Sequence, residues 1–285
     1  VLLPSVWESE GVGFGGGEGK YCAEVIVVDN GSNDGTFEWL EEQKHIGLNH
    51  GRDLNRYMKV IKNINNGFSA GNNLGIKQAS GKYVLLLNPD TKLEKNTLSE
   101  ILNFMEEYPD VGISGCKLIK ADGKLDLACR RRFPNPINSF KRLILHDNRD
   151  YNYLNIDENL SMEVDSVVGA FLLIRKSVMD KIGLLDEKFF MYGEDLDWCW
   201  RCKEAGFKVW YYPLVFCHHY KGESSKKIPF KALRWFHDAM WIFYQKHYAQ
   251  KYPTLFNFFV YIGIYSRFYG LCLINLFKKN PTVSQ

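Results

Sequence analysis

The chain has 285 residues, 46% of them hydrophobic, enough for a sizeable packed core and too apolar for general disorder. Its net charge of +3 is uninformative alone, but the charge is unevenly placed: residues 221–285 hold ten Lys/Arg and two Asp/Glu (+8), and the first 220 hold 26 and 31 (−5). An acidic body with a basic tail points to an anionic partner at the tail end, a membrane surface or a polyphosphate, and no nucleic acid is expected. Seven scattered cysteines (Cys22, Cys116, Cys129, Cys199, Cys202, Cys217, Cys272) favour reduced thiols in a cytoplasmic compartment over a disulfide framework. Cys199 and Cys202 form an isolated CxxC inside a predicted helix and read as packing residues. No signal peptide is read at the N-terminus.

Taken in chain order, residues 1–21 form an atypical glycine-rich segment. Gly11, Gly13 and Gly16 satisfy G-x-G-x-x-G, but a strand follows where a dinucleotide loop needs a helix, so a flexible linker is predicted. "AEVIVVDN" is a continuous apolar run ending at Asp29, the pattern of a strand buried on both faces. A "GSNDGT" turn and a helix over 36–43 follow, then a strand at 57–63 and an Asn/Gly-rich turn leading into a short helix. "YVLLL" is a third strand. Leu98, Ile101, Leu102 and Met105 have helical spacing, and Pro109 stops that helix. Further on, 166–183 reads as strand then helix, and Glu194–Ala205 as a helix with Gly206 behind it. "KVWYYP" is another strand, and residues 226–285 are helical, aromatic and basic. Strands alternating with helices imply an α/β fold with a mainly parallel sheet, whose ligands bind at the carboxyl ends of strands. Asp29 and Asp90 stand at such ends.

Four clusters carry candidate chemistry, each beside a plainer reading. Asp29-Asn30 at a strand end suits the N–H of a pyrimidine ring, or an ordinary Asx-turn. The run through Asn66, Gly67, Gly71, Asn72 and Asn73 lets backbone N–H groups approach a phosphate, or is a plain loop. In Asn88-Pro89-Asp90 the proline holds Asn88 extended and presents Asp90 rigidly, as a divalent-ion ligand or as the cap of a helix over 92–107. Glu194, Asp195 and Asp197 crowd a helix start, which raises one carboxyl pKa toward a general base or merely enriches a first helical turn in acid. His218 or His219, in tandem after a strand, could join Asp90 at a metal.

The order and spacing of "EVIVVDNGSNDGT", "NNGFSAGNNLGI", "YVLLLNPDT", "VVGAFLLIRKSVMDKIGLLDEKFFMYGEDLDWCWR" and "HHYKGESS" resemble glycosyltransferase family 2, most of all its rhamnosyltransferase-like members with the GT-A (Rossmann-like) fold. The resemblance covers residues 22–250, about four-fifths of the chain. It implies a GT-A domain over 22–225, a mainly parallel sheet flanked by helices, with a helical appendage over 226–285. It implies inverting transfer of a sugar, L-rhamnose foremost, from a dTDP- or UDP-sugar to a saccharide or polyprenyl-diphosphate-linked acceptor in cell-surface polysaccharide assembly. Asp29 and Asn30 would hold the nucleotide, and Asn66, Gly67, Gly71, Asn72, Asn73 and Asn88 would line the donor. Asp90 would hold Mg2+ or Mn2+ with His219 or His218, and Asp195 of the Glu194-Asp195 pair would be the base. Acceptor contacts are expected at Arg131, Arg132, Gly169 and Trp198, although the arginines read equally as a solvated loop. Asn88 replaces the first acid of the usual pair, so metal binding should be weak until the donor arrives. The family's opening strand and helix are also missing ahead of "EVIVVDN"; "VLLP" is expected to be a remnant of that strand, leaving one wall of the nucleotide pocket altered.

Between Lys251 and Lys278 the only charge is Arg267 in a very apolar run. A mid-segment arginine and flanking aromatics favour a helix lying in a membrane interface over a packed helix or a span. The enzyme is thus expected on the inner face of the cell membrane. The rival readings are a nucleotidyltransferase, which needs a basic triphosphate loop near its first strand, and a non-catalytic membrane-attached scaffold of the same fold.

Overall fold

The computed structural model describes residues 2–14, 19–49, 58–220 and 228–278; part of the glycine stretch, Gly222 and Ser224 lie outside them. The chain begins with α1 (Leu2–Trp7), β1 (Val12–Gly13) and β2 (Tyr21–Cys22). Within "VLLP", residues 2–4 are therefore the start of a helix, not a strand remnant. The Ser5 hydroxyl accepts from the Leu93 N–H at 3.1 Å, and Val6 and Val12 are buried in the main core, so this segment docks on the strand containing Leu93.

Next come β3 (Val25–Asn30), α2 (Thr36–Asn49), β4 (Met58–Asn63), α3 (Phe68–Ile76), β5 (Tyr83–Leu87), β6 (Thr91–Leu93) and α4 (Thr97–Glu107). Then follow β7 (Val111–Lys120), α5 (Pro136–Ile144), β8 (Met162–Glu163), β9 (Phe171–Arg175), α6 (Lys176–Ile182), α7 (Glu194–Glu204) and β10 (Lys208–His219). Two long helices close the described chain, α8 (Pro229–His247) and α9 (Thr254–Leu276).

The α/β class and the C-terminal helices are as expected, but the sheet pairing is mixed. β3 and β4 form their own parallel ladder, and the main sheet runs β5–β9–β7–β10–β6, with β8 joined to β10. Within it β7 and β10 are parallel, whereas β9 runs antiparallel to both β5 and β7, and β6 and β8 run antiparallel to β10. The physical reason is connectivity. Strand–helix alternation, the signal for parallel pairing, lapses after β7, and the 121–170 stretch returns the chain beside β7 in the opposite direction.

The core follows from uninterrupted apolar strands. All of Phe171–Arg175 is buried, because β9 has a strand on each edge and side chains on both faces. Ile101 and Met105 of α4, Ile113 and Leu118 of β7, and Trp198 of α7 complete it at 0% exposure. Cys199 and Cys202 are equally buried, and burial pushes the Cys202 thiol up to about 12, in keeping with packing rather than redox use.

α8 grips the helix that carries the acids. Ala239 and Phe243 of α8 pack on Phe189 and Leu196. Asp197, fully buried, receives Arg201 Nε at 2.8 Å, His247 Nε2 at 2.8 Å and Lys246 Nζ at 2.9 Å. Burial works against its charge, but the bonds from His247, Arg201 and Lys246 outweigh it and lower its pKa to about 2.

Candidate functional site

Asp90 sits in a turn, not at a helix cap. The N–H and hydroxyl of Thr91 both reach the Asn88 carbonyl, at 3.2 and 2.7 Å, closing a tight turn over Pro89. The chain then enters β6 against β10, and α4 begins only at Thr97. That strand pairing brings the histidines in: Thr91 lies opposite His219, and Lys92 opposite His218. Successive strand residues face opposite sides, so one histidine at most can face Asp90. His219 does, its Nε2 3.4 Å from Asp90 Oδ1. His218 turns the other way, with Nε2 3.5 Å from Glu94.

The other ring nitrogen of His219, Nδ1, is 3.0 Å from Oδ2 of Asp126, a residue that the sequence reading missed. Asp126 is buried where the chain folds back on β7, its N–H bonded to the Leu118 carbonyl at 2.8 Å. Only tertiary contact reveals it, since 93 positions separate the two residues. Burial opposes a charge on His219, but the bonds to Asp126 and Asp90 outweigh it and raise its pKa above the ordinary value. An imidazole backed by a carboxylate on Nδ1 presents Nε2 as a fixed donor atom. Among the described residues no group of three or more His, Cys, Asp or Glu could hold a metal. Asp90 and His219 still fit Mg2+ or Mn2+ where a diphosphate supplies further oxygens, because such ions are commonly held by one or two carboxylates plus substrate phosphate.

The expected donor residues divide in two. Asp29 is buried at the end of β3; its Oδ1 accepts from the Ser32 N–H at 3.3 Å, and its Oδ2 is buried without a protein partner. Such an orphan acceptor suits a ligand N–H. The Asn30 amide donates to the Gly67 carbonyl at 3.0 Å, and Gly71 leaves room for it: a Cβ there would come within 3.2 Å of the Asn30 side chain. Asn66 is exposed beside them. Asn72 and Asn73 are committed elsewhere. Asn72 donates to the Phe68 carbonyl at 2.9 Å. Asn73, 2% exposed, bonds Leu185 through both ends of its amide, at 2.9 and 3.1 Å, and also Glu187 at 2.9 Å. It pins α3 to the loop before α7.

Gly67 is where only glycine serves. Its φ is +102°, and a Cβ would lie 2.6 Å from the Phe190 carbonyl oxygen. Phe68 N–H donates to that same carbonyl, and the Ser69 hydroxyl to the Phe189 carbonyl at 2.7 Å. The donor loop is thus sewn to the segment just before Glu194. Gly67→Ala combines backbone strain with overpacking and is expected to cost about 3 kcal/mol; a urea midpoint equal to the parent's would refute the close approach.

On the far side stands Asp195. Its Oδ2 accepts from the Gly169 N–H at 3.0 Å and from Arg131 Nη2 at 2.9 Å. Burial works against the Arg131 charge, but Asp195 more than compensates and holds its pKa above the usual value. Burial, and then the Asp195 charge, push Glu194 up to about 8, so it is mainly protonated at neutral pH. Gly169 is followed by Ala170, whose carbonyl accepts from the Asn88 N–H at 3.1 Å. Two consecutive residues before β9 therefore join the Asp90 turn to Asp195.

The expected acceptor residues separate. Gly169 lies at the site, its Cβ position 3.8 Å from Asp195 Cβ and 3.7 Å from the Phe68 ring. Arg131 is spent on Asp195 and on the Val167 carbonyl at 2.7 Å. Arg132 is exposed and pairs with Asp150 at 2.9 Å. Trp198 is a core residue at 0% exposure, its indole N–H bonded to the Gly183 carbonyl at 2.8 Å. A surface cleft beside the site is lined by Phe189, Phe190 and Met191 and by Arg234, Trp235 and Asp238 of α8.

This frame matches solved structures at the level of fold. The chain superposes on S. aureus TarS with a TM-score of 0.54 at 17% identity, covering 86% of this chain and 36% of that one. On GalNAc-T7, solved with UDP, GalNAc and Mn2+, the TM-score is 0.52 at 15% identity, covering 92% and 52%. The fold is therefore GT-A.

The pattern of the family described as "Glycosyl transferase family 2" matches residues 20–183, and the chain belongs to that family. It is similar to the low-salt glycan biosynthesis hexosyltransferase Agl10 of Haloferax volcanii, 26% identical over 66% of this chain and 55% of that protein. It is also similar to the N-acetylglucosaminyl-diphospho-decaprenol L-rhamnosyltransferase of Mycobacterium tuberculosis, 25% identical over 77% and 73%. Rhamnosyltransferase WbbL of Escherichia coli is 27% identical over 59% and 66%. The match thus spans about half of the Haloferax protein's length.

Proposed function

We propose that the chain is an inverting, metal-dependent glycosyltransferase of cell-surface glycan assembly. It would move a sugar, L-rhamnose foremost, from a dTDP- or UDP-sugar to a hydroxyl of a saccharide or lipid-linked acceptor at the inner face of the membrane. Two relatives bearing the name rhamnosyltransferase support the sugar. The observation that carries the reading is the bridge from Asn88 through Ala170 and Gly169 to Asp195, which sets two acidic centres either side of one backbone loop.

Asp29 receives an N–H of the base through its orphan oxygen. The diphosphate lies toward Asp90 and His219, where a divalent ion, when bound, stabilises the negative charge of the leaving group. Asp195 takes the acceptor hydroxyl proton, and Arg131 and Gly169 fix the direction of its carboxylate. Glu194, protonated, adds no second negative charge beside it. The glycine segment that a nucleotidyltransferase would use as a triphosphate loop lies, where described, beside α4: a Cβ on Gly11 would touch Ser99 at 3.1 Å.

A thermal-shift panel of nucleoside diphosphate sugars with and without Mn2+ tests the reading. A donor at a hundred times its Kd should stabilise the fold by about 2.7 kcal/mol. The largest rise is expected for a dTDP- or UDP-sugar with Mn2+, and no rise with any donor would overturn the proposal.

A further inference from the structure

α5 begins well. Asn135 caps it, accepting from the Ile137 and Asn138 N–H groups at 2.9 Å each, Asn138 completes a capping box, and Pro136 occupies the first turn. Yet the helix turns its apolar face outward. Ile137 is 70% exposed, Phe140 57%, Ile144 53% and the adjoining Leu145 60%, while Asn138 is its buried residue. An amphipathic helix of a globular domain normally does the reverse. Its charged residues are Lys141 and Arg142, with no acid among them.

α9 shows the same inversion. Leu255, Phe258, Phe259, Ile262, Leu273 and Leu276 are exposed at helical spacing, whereas Ile264, Phe268 and Asn275 face inward. Only 17% of its most apolar stretch is buried. Its one charge, Arg267, is turned away from that face, with Nη1 2.9 Å from Nε2 of His237 on α8. Burial first, and then the positive charge of Arg142, lower the pKa of Arg267.

We propose that α5 and α9 together form a bilayer-docking face whose partner is an anionic lipid surface. The proposal rests on the membrane-side reading above and adds to it a second anchor, one that belongs to the catalytic domain. Charge selects the partner. Lys141 is exposed beside Phe140 on α5, Lys251 precedes α9 and Lys278 follows it, and the chain is +8 beyond residue 220. Apolar faces rimmed by basic residues suit the headgroup boundary of anionic lipid. A second copy of the chain docked on this face would bring like charges together. The placement also has a consequence for the reaction. α5 follows directly on the segment holding Arg131, the partner of Asp195, so docking α5 brings the base side of the site to the headgroups, where a lipid-linked diphosphate acceptor is exposed.

The test is co-flotation of the full chain with phosphatidylcholine vesicles, with and without phosphatidylglycerol. Binding is expected only with phosphatidylglycerol and should weaken with salt. The double variant Phe140→Asp, Ile144→Asp should lose about tenfold or more in partitioning, and so should Phe258→Asp, Phe259→Asp. These side chains are in water, so both variants should melt like the parent and keep its donor-induced thermal shift. Unchanged flotation of the α5 variant would overturn the proposal. So would a drop in its oligomeric mass with flotation intact, which would make a second copy the occupant. A parent that floats but shows no shift with any donor leaves the docking face standing and removes the sugar-transfer reading instead.

Discussion

Asp195→Asn is expected to lower turnover about 10²–10⁴-fold, the usual span for a lost general base, with donor affinity unchanged. The substitution keeps the shape of the side chain, and its amide oxygen can still accept from the Gly169 N–H and from Arg131. What it removes is the capacity to take a proton. Glu194 is a poor substitute: burial, and then the charge of Asp195, push it up to about 8, so it is mainly protonated at neutral pH. Its Oε2 is buried without a hydrogen-bond partner among the described residues. Single-turnover kinetics with saturating donor measure the chemical step, and the donor thermal shift measures binding. A variant that turns over at the parent rate would remove Asp195 from the role of base. One that loses donor affinity as well would mean that Asp195 chiefly holds the donor loop together. A companion change, Arg131→Met, leaves a buried carboxylate uncompensated and should destabilise the fold by about 3–5 kcal/mol, the range for breaking a buried pair.

Asp90→Asn should have the second-largest effect, about 10²–10³-fold on kcat/KM, because Asp90 would hold the divalent ion that stabilises charge developing on the leaving diphosphate. Its signature differs from that of Asp195→Asn. Donor and Mn2+ should lose their mutual enhancement, so that titration of Mn2+ by electron paramagnetic resonance in the presence of UDP shows weakened binding. In the parent, Mn2+ should bind weakly until the nucleotide is added, since Asp90 and His219 supply two ligand atoms and no acid stands at Asn88. Tight Mn2+ binding without nucleotide would contradict this. Asp126→Asn reports the support of the site: Asp126 backs His219, and loss of such a backing carboxylate commonly costs 10–100-fold in metal affinity. His218→Ala, on the opposite face of β10, should leave Mn2+ affinity near the parent value.

The difference between the two histidines shows where sequence reasoning stops. "KVWYYP" was expected to end a strand at Pro213, with the histidines beyond it. β10 instead continues to His219, passing the proline through a register shift between Tyr212 and Phe216. A proline inside a sheet is tolerated at such a bulge, where no ladder hydrogen bond is needed from it. Only when both histidines are known to lie in one strand does alternation assign them to opposite faces. Asp90 was ambiguous in the same way. As a cap or a ligand its local sequence is identical, and the β6 pairing with β10 removed the helix it would have capped.

Local chemistry along the chain was enough for the α/β class, for the strand ends carrying Asp29 and Asp90, for the helix start at Glu194-Asp195, and for the family. Those features depend on apolar periodicity, turn residues and motif order, which act over a few positions. Tertiary structure alone decided the antiparallel entry of β9, the partnership of Arg131 with Asp195 across 64 positions, the backing of His219 by Asp126, and the outward face of α5. Each of these depends on how segments distant in sequence pack, or fail to pack, on one another, where pairing register and packing choose among side chains that local pattern leaves equivalent.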